Sequence, residues 1–256
     1  AAGWGLGTWG VGVTSTDALR LWTQSNFGED LIFAARGGNL FFWDATDALT
    51  TRGVLLSSES GASNVPVKVN TVLVSDNRFV FCFGTNVLGS TDIDPMLLRW
   101  SDQENAVNWT PSSTNQAGDL RLSKGSEIIT AVQGRQEILV WTDSALYALQ
   151  YVGAPAVWSS QTVGENLSIA STRAVAYANG VAYWMGVGGF YRYDGRVQTL
   201  PCTVKRYIFN DFNTEQYDQV FAGTNEAFSE IWWFYCPSGS TTASRYVIYN
   251  YAQNIW

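Results

Sequence analysis

The chain has 256 residues, of which 46% are hydrophobic, 14% aromatic and 14% charged, and its formal net charge is −7. A chain this apolar does not stay disordered, and its acidity argues against tight duplex-DNA binding, which needs a basic surface. Histidine is absent, which excludes Ser-His-Asp and Cys-His nucleophile systems and removes the commonest metal ligand.

The first predicted element is a Gly- and Trp-rich opening segment, residues 1–16, which contains GWGLGTWGVGV (Gly3–Val13). It suits a linker from an upstream domain or a strand shared with a missing blade. The chain starts at Ala1, without Met, and Trp256 falls in a predicted strand. We therefore expect this sequence to be an internal part of a longer chain.

Five predicted β-hairpins follow this segment. In each, two apolar runs rich in Val, Ile, Phe, Tyr and Trp flank a connection that carries Gly, Asp or Ser. Apolar residues do not recur at helical spacing over any long window. The hairpins span Leu31–Asp44, Phe79–Ser101, Ile138–Tyr151, Val181–Gly195 and Ile231–Tyr251.

The hairpins recur about every 50 residues, and each is preceded by a further short apolar run, near Leu21, Leu73, Ile129, Val175 and Phe221. Such a period with three or four strands is typical of a β-propeller blade. We predict an all-β fold, a β-propeller of about five or more antiparallel blades over residues 17–256, incomplete if the chain is truncated. A β-sandwich with coincidental spacing is the alternative.

Large aromatic side chains are expected to fill the wedges between blades, since a twisted sheet cannot bury both of its faces alone. We expect Trp43, Trp100, Trp184 and Tyr193 to be mostly buried. The predicted structural aromatics are Trp43, Trp100, Trp184, Tyr193 and Tyr249, and the predicted turn glycines are Gly37, Gly38, Gly188 and Gly189.

Carboxylate pairs are the remaining candidates for catalysis, because a glycosidase needs only two acids. The pairs are Glu29 with Asp30, Asp92 with Asp94, and Glu226 with Glu230. All lie in or beside predicted turns, where solvated acids are common. Ser90–Met96 has alternating carboxylates that could touch calcium, but it lacks the third ligand and the glycine of an EF-hand loop.

Other polar and sulfur-bearing residues have plain structural interpretations. The turn residues Arg36, Arg121 and Arg196 could reach a phosphate or an acidic partner, but a solvated or ion-paired arginine is favoured. No two of Cys82, Cys202 and Cys236 have CxxC spacing, which disfavours a zinc site or a disulfide framework. Cys82 and Cys236 are interpreted as small buried hydrophobes. We predict no enzyme activity, cofactor or metal site.

Four segments resemble virion structural proteins of tailed bacteriophages, of the kind described as tail hub, nozzle, or head-completion and DNA-stabilisation proteins of short-tailed phages. The resemblance covers about Leu21–Trp256, and NFGEDL, RWSDQEN and YDGRVQ are its most specific wording. It implies a propeller-bearing subunit near the portal-proximal tail, repeated around the tail axis, with no catalytic residues. The segments are Leu21–Ala45, Asp94–Leu122, Gly134–Gly153 and Gly180–Val204.

The expected function is therefore a structural subunit of a homo-oligomeric tail ring that forms part of the DNA conduit and retains packaged DNA. Its expected partners are other tail, portal or adaptor proteins, and phage DNA that passes without tight binding. Its expected location is the virion, assembled in the host cytoplasm. No uncharged apolar run is long enough to span a membrane. The alternative is a ligand-binding propeller of a virion, for glycan binding or host attachment.

Overall fold

The computed structural model describes residues 20–256, and these form five antiparallel sheets arranged as a five-bladed β-propeller. The predicted propeller is therefore confirmed and the sandwich alternative is excluded. Helix within this range is confined to α1 (Lys205–Asn210) and three short 3₁₀ segments. The predicted opening segment, residues 1–16, lies outside the described residues.

Strands pair in chain order within each blade, so every blade is a simple meander. In blades 2 to 5 the first strand overlaps the predicted short apolar run, whereas in blade 1 it reads WTQSNF and shares only Trp22 with the run near Leu21. The next two strands of every blade form the predicted hairpin. Blade 1 contains β1 (Trp22–Phe27), β2 (Asp30–Ala35), β3 (Leu40–Trp43) and β4 (Val54–Leu55); blade 2 contains β5 (Val69–Val74), β6 (Val80–Asn86), β7 (Ile93–Trp100) and β8 (Gly118–Arg121). Blade 3 contains β9 (Ile128–Gln133), β10 (Ile138–Thr142), β11 (Ala145–Gly153) and β12 (Val157–Glu165). Blade 4 contains β13 (Val175–Ala178), β14 (Val181–Met185), β15 (Phe190–Tyr193) and β16 (Val197–Leu200), and blade 5 contains β17 (Phe221–Asn225), β18 (Glu230–Tyr235) and β19 (Arg245–Asn250).

The hydrophobic core lies between successive blades, because alternate side chains of each strand point to opposite faces. Three clusters of buried residues join blade 1 to 2, blade 2 to 3, and blades 3, 4 and 5. Trp141 of blade 3 meets Trp184 of blade 4 edge-on, with ring centroids 5.4 Å apart. Phe81 of blade 2 meets Trp158 of blade 3 in the same way at 4.9 Å. Aromatic rings thus fill the wedges between blades, as expected.

Blade 1 also meets the start of blades 4 and 5, through polar contacts at the inner ends of the sheets. The Arg173 guanidinium donates to the Trp22 carbonyl at 2.8 Å. Arg36 forms an ion pair with Asp218 at 3.3 Å. Arg173 lies just before β13 and Asp218 just before β17, so these contacts bring the first blade back to the last two.

The C-terminal residue differs from expectation, because Trp256 is not part of a strand. β19 ends at Asn250, and a turn with Asn254 at φ +54° brings the chain back. The Trp256 ring packs 4.6 Å from Phe190, and its Nε1 donates to the Pro201 carbonyl at 2.7 Å. The strand prediction fails here because the apolar side chain packs against blade 4 from the turn.

None of the helices within residues 20–256 is long and apolar enough to cross a membrane.

Candidate functional site

Blade 5 carries an aromatic cluster on its outer face, which we call the blade 5 aromatic face: Phe221, Trp232, Phe234 and Tyr246. Phe221 stacks on Phe234 with centroids 4.6 Å apart, and Trp232 stacks on Tyr246 at 5.0 Å. Tyr246 is 56% exposed and Phe221 40% exposed. The cluster arises from strand alternation, because the intervening residues Ile231, Trp233 and Tyr235 of β18 are buried in the core.

Blade 1 has a matching cluster, the blade 1 aromatic face: Trp22, Phe33 and Phe41. Phe33 and Phe41 stack at 5.4 Å, and Trp22 lies 6.0 Å from Phe33. Trp22 is 42% exposed, and the other two rings are half-buried. The alternate residues Ile32 and Leu40 pack instead against blade 2. The blade 1 aromatic face therefore lies on the side of the sheet that points away from blade 2.

The two aromatic faces lie on the first and the last blade of the series. No cluster of buried hydrophobic residues within residues 20–256 joins blade 5 to blade 1. Clusters of three or four half-exposed aromatic rings are unusual on a surface that no partner covers. Trp, Tyr and Phe are enriched at interfaces. These faces are the strongest candidate interaction surface in the described part of the chain.

The acidic charge is concentrated at one end of the propeller. Because strands alternate in direction, the turns from the first to the second strand and from the third to the fourth lie at the same end of every blade. With the strand residues beside them, these turns hold eleven acidic and four basic residues, a net charge of about −7. The acids are Glu29, Asp30, Asp44, Asp47, Asp76, Asp102, Glu104, Glu137, Asp194, Glu226 and Glu230, and the bases are Arg52, Arg78, Arg135 and Arg196. We call this surface the acidic end.

The predicted carboxylate pairs have structural contacts. Asp30 accepts the Ala45 N–H at 3.0 Å, and Glu230 accepts the Trp232 indole N–H at 3.0 Å. Asp94 accepts from the Arg121 Nε at 2.6 Å and from the Met96 N–H at 2.9 Å. Burial alone would raise the pKa of Asp94, but these hydrogen bonds and the Arg121 charge together lower it. The described residues contain no group of three His, Cys, Asp or Glu placed to hold a metal.

The predicted arginines are distributed over separate blades. Arg36 pairs with Asp218 of the connection into blade 5, and Arg121 pairs with Asp94 within blade 2. Arg196 is exposed in the turn between β15 and β16. The three side chains are therefore not brought together into one site.

The predicted structural aromatics divide by blade face. Trp100, Trp184, Tyr193 and Tyr249 are all at most 6% exposed. Trp43 is only half-buried, contrary to expectation. It ends β3 at the outer face of blade 1, where its Nε1 donates to the Thr51 carbonyl at 3.0 Å. No further blade among the described residues covers that face.

The predicted turn glycines and cysteines occupy different environments. Gly37 has φ +71°, and its N–H donates to the Val69 carbonyl at 2.8 Å, which links blade 1 to blade 2. Gly38 pairs with Val69 in a short antiparallel bridge. Gly188 and Gly189 lie in the β14–β15 turn without a positive φ. Cys82 and Cys236 are buried and Cys202 is partly buried, and all three are free thiols.

Sequence reasoning missed the blade 5 aromatic face, although the signal was present. The run IWWFY alternates between two sets of large side chains, and only one set can face the neighbouring blade. Sequence reasoning also missed the contact between Arg173 and Trp22. They come from separate blades, so no local pattern joins them.

No protein-family model matches the chain, and no curated protein matches it. Solved structures match its fold at low identity. The extracellular domain of the two-component-system protein BT4673 of B. thetaiotaomicron has 16% identity and a TM-score of 0.50, and the match covers 82% of this chain and 25% of that one. BamB of Moraxella catarrhalis has 14% identity and a TM-score of 0.43, with 84% and 57% covered. The gluconolactonase XC5397 of Xanthomonas campestris has 9% identity and a TM-score of 0.40, with 80% and 64% covered. Of these three, the BT4673 match alone reaches a TM-score of 0.50, and at 16% identity it shows a likeness of fold and nothing finer.

Proposed function

We propose that this chain is a non-catalytic structural subunit of a phage tail ring, of the hub or nozzle type beside the portal-proximal tail. In this role it forms part of the DNA conduit and helps retain packaged DNA. The observation that carries the assembly role is the pair of half-exposed aromatic faces on blades 1 and 5. The assignment to a phage tail rests on the resemblance of the four segments quoted above.

The proposed occupant of these faces is a second copy of the chain. Every junction between successive blades is a sheet face packed on a sheet face through apolar side chains, and the two outer faces offer the same chemistry. Blade 5 of one copy meeting blade 1 of the next is a heterologous contact, which closes into a ring when the rotation permits. It requires the polar contact between blades 1 and 5 within each copy to open. A stable contact of this kind should bury well over about 1,000 Å².

The acidic end supports the conduit role. A basic lining would hold DNA, because each phosphate that it neutralises releases a counterion and strengthens binding. A surface with eleven acids and four bases has the opposite sign. DNA would pass such a surface without sticking.

The assembly role predicts that the wild-type chain forms a discrete oligomer and that the double variant Phe221→Glu, Tyr246→Glu is a monomer. Both substitutions place charge on the blade 5 aromatic face, where burial in an interface would leave it unpaired at a high cost. Size-exclusion chromatography with light scattering measures the mass, and circular dichroism checks that the variant folds.

Leu49→Lys is the matched control, because Leu49 is 91% exposed in the turn between β3 and β4. That variant should remain oligomeric. A wild-type chain that stays monomeric at high concentration would count against the assembly role. Sugar rings also stack on exposed aromatics, so hits on a glycan array that vanish in the double variant would favour the glycan-binding alternative.

A further inference from the structure

A small cavity opens between blades 2 and 3 at the acidic end, and the proposed function does not use it. Its volume is about 250 Å³, which suits one sugar ring and lies below the roughly 300–1,000 Å³ of sites for drug-sized ligands. The β5–β6 turn and the β9–β10 turn form its walls, and Tyr151 and Trp158 of the β11–β12 hairpin complete it. We call it the inter-blade cavity.

Tyr151 brings an accessible aromatic ring to this cavity. The residue is 38% exposed, and strand alternation places it on the same side of β11 as Leu149, which is buried against blade 2. Phe79 and Trp158 support the Tyr151 ring at centroid distances of 5.7 and 5.5 Å. The phenol hydroxyl donates to the Gln116 Oε1 at 2.9 Å. These contacts hold the ring in one orientation while part of its surface stays open.

Three polar side chains of the cavity wall are exposed and have hydrogen-bonding atoms to spare. Asp76 and Asn77 lie in the β5–β6 turn, and Gln136 lies in the β9–β10 turn. Within residues 20–256, the Asp76 carboxylate makes no ion pair. Asn77 is bonded there only through its backbone carbonyl, which accepts from the Gln103 Nε2 at 3.2 Å. A ligand can therefore reach these side chains without displacing a contact of the described fold.

The charges of the lining favour a neutral ligand. Asp76 and Glu137 are acidic and Arg135 is basic, so an anion and a cation would each meet a like charge. A hydroxyl group both donates and accepts, and planar carboxylate and amide groups can bond two neighbouring hydroxyls at once. The C–H face of a sugar ring packs on an aromatic ring such as that of Tyr151. A neutral ring sugar thus uses both the polar and the aromatic groups of this cavity.

We infer that the inter-blade cavity binds one neutral pyranose unit. The apolar face of the sugar packs on Tyr151, and its hydroxyl groups bond Asp76, Asn77 and Gln136. An open-chain polyol fits less well, because it has no rigid C–H face to place on the aromatic ring. This inference is independent of the tail-ring role, since the cavity lies apart from the aromatic faces of blades 1 and 5.

The test uses saturation-transfer-difference NMR and isothermal titration calorimetry with the purified chain. The probes are the methyl pyranosides of glucose, galactose and mannose. Sorbitol, an open-chain polyol, and glucuronate, an anionic sugar, are the comparison ligands. At least one pyranoside should bind with a Kd on the order of 1 mM. Sorbitol and glucuronate should bind more weakly than that pyranoside.

Asp76→Ala should weaken binding of the pyranoside at least about tenfold, because it removes a charged acceptor of hydroxyl hydrogen bonds. Asp47→Ala is the matched control, because Asp47 is an exposed acid of the same end in the β3–β4 turn, outside the cavity. That variant should bind as the wild type does.

Tyr151→Leu should abolish binding, whereas Tyr151→Phe keeps the aromatic ring and should retain it. Circular dichroism checks that each variant folds. The absence of binding by all three pyranosides, unchanged binding by Asp76→Ala or Tyr151→Leu, or tighter binding of glucuronate would each overturn the assignment.

Discussion

Trp184 has contacts on every side at the junction of blades 3 and 4. It is 0% exposed, its ring stacks on Tyr191 at 5.4 Å, and Trp141 meets it edge-on at the same distance. Its Nε1 donates to the Ser168 carbonyl at 3.2 Å. The indole thus combines a large buried apolar area with a satisfied polar group.

Trp184→Ala should lower the free energy of unfolding by about 3–5 kcal/mol, because it removes a core ring and leaves a cavity. Urea denaturation of the purified chain measures this loss. Tyr246→Ala, at a site that is 56% exposed, is the control and should cost much less. A Trp184→Ala protein with the wild-type unfolding curve would show that the ring does not stabilise the junction.

Burial of individual aromatics could be predicted only in part. Trp43 and Trp100 both end the return strand of a predicted hairpin, yet Trp100 is buried and Trp43 is only half-buried. The two positions look alike along the sequence. They differ because blade 3 packs against the face of blade 2 that carries Trp100, while no described blade covers the outer face of blade 1.

At the scale of elements, blade 2 contains a β-bulge that depends on one glycine. The pairing of β6 with β7 shifts register between Phe83 and Thr85, and Gly84 lies at the shift with φ +57°. A Cβ at Gly84 would come within 2.7 Å of the Asn70 side-chain amide on β5. Both the backbone conformation and the space therefore favour glycine.

Gly84→Ala should lower the free energy of unfolding by about 1–3 kcal/mol through left-handed strain and crowding. Gly188→Ala is the control, since Gly188 has no positive φ and its Cβ would meet nothing within 4 Å. The control should stay within about 0.5 kcal/mol of the wild type. Thermal and urea unfolding of both variants measure the difference, and equal losses would argue against strain at Gly84.

Most inner and middle strands were predictable because they are apolar on at least one face, but the inner strand of blade 1, WTQSNF, has no buried residue. The fourth strands were not assigned, and their sequences explain this. β8 reads GDLR and β12 reads VWSSQTVGE. They form the outer rim of their blades, where water replaces one neighbour, so their hydrophobic signal is weak. β4 has only two residues, too few for any period to be seen.

At the scale of the whole molecule, the repeat of hairpins was enough to predict a propeller. The acidic end could not be predicted from the sequence, because it gathers residues from several blades. The net charge gave the amount of acidity but not its location. Only the strand order shows that the acidic turns share one end.

In an assembled tail, the acidic end should face the axial channel through which DNA passes. The physical reason is that a surface with a net charge of about −7 repels phosphates and so does not retard DNA. A cryo-electron microscopy map of the virion gives the orientation of the blades. A ring subunit whose acidic end points away from the axis would contradict this orientation, and a chain absent from the axial ring would contradict the tail role itself.

The inner-end contacts between blade 1 and the last two blades give the propeller a seam. Elsewhere, successive blades adhere through apolar packing that salt hardly weakens, but here Arg36 and Asp218 meet with side chains 28% and 42% exposed. Partly exposed ion pairs are screened by salt and contribute little energy. Because each blade is otherwise linked to its neighbours in chain order, the seam can part while every sheet stays whole. The molecule is then stiff along the series of blades and compliant at the seam. Ionic strength sets how firmly the seam stays closed.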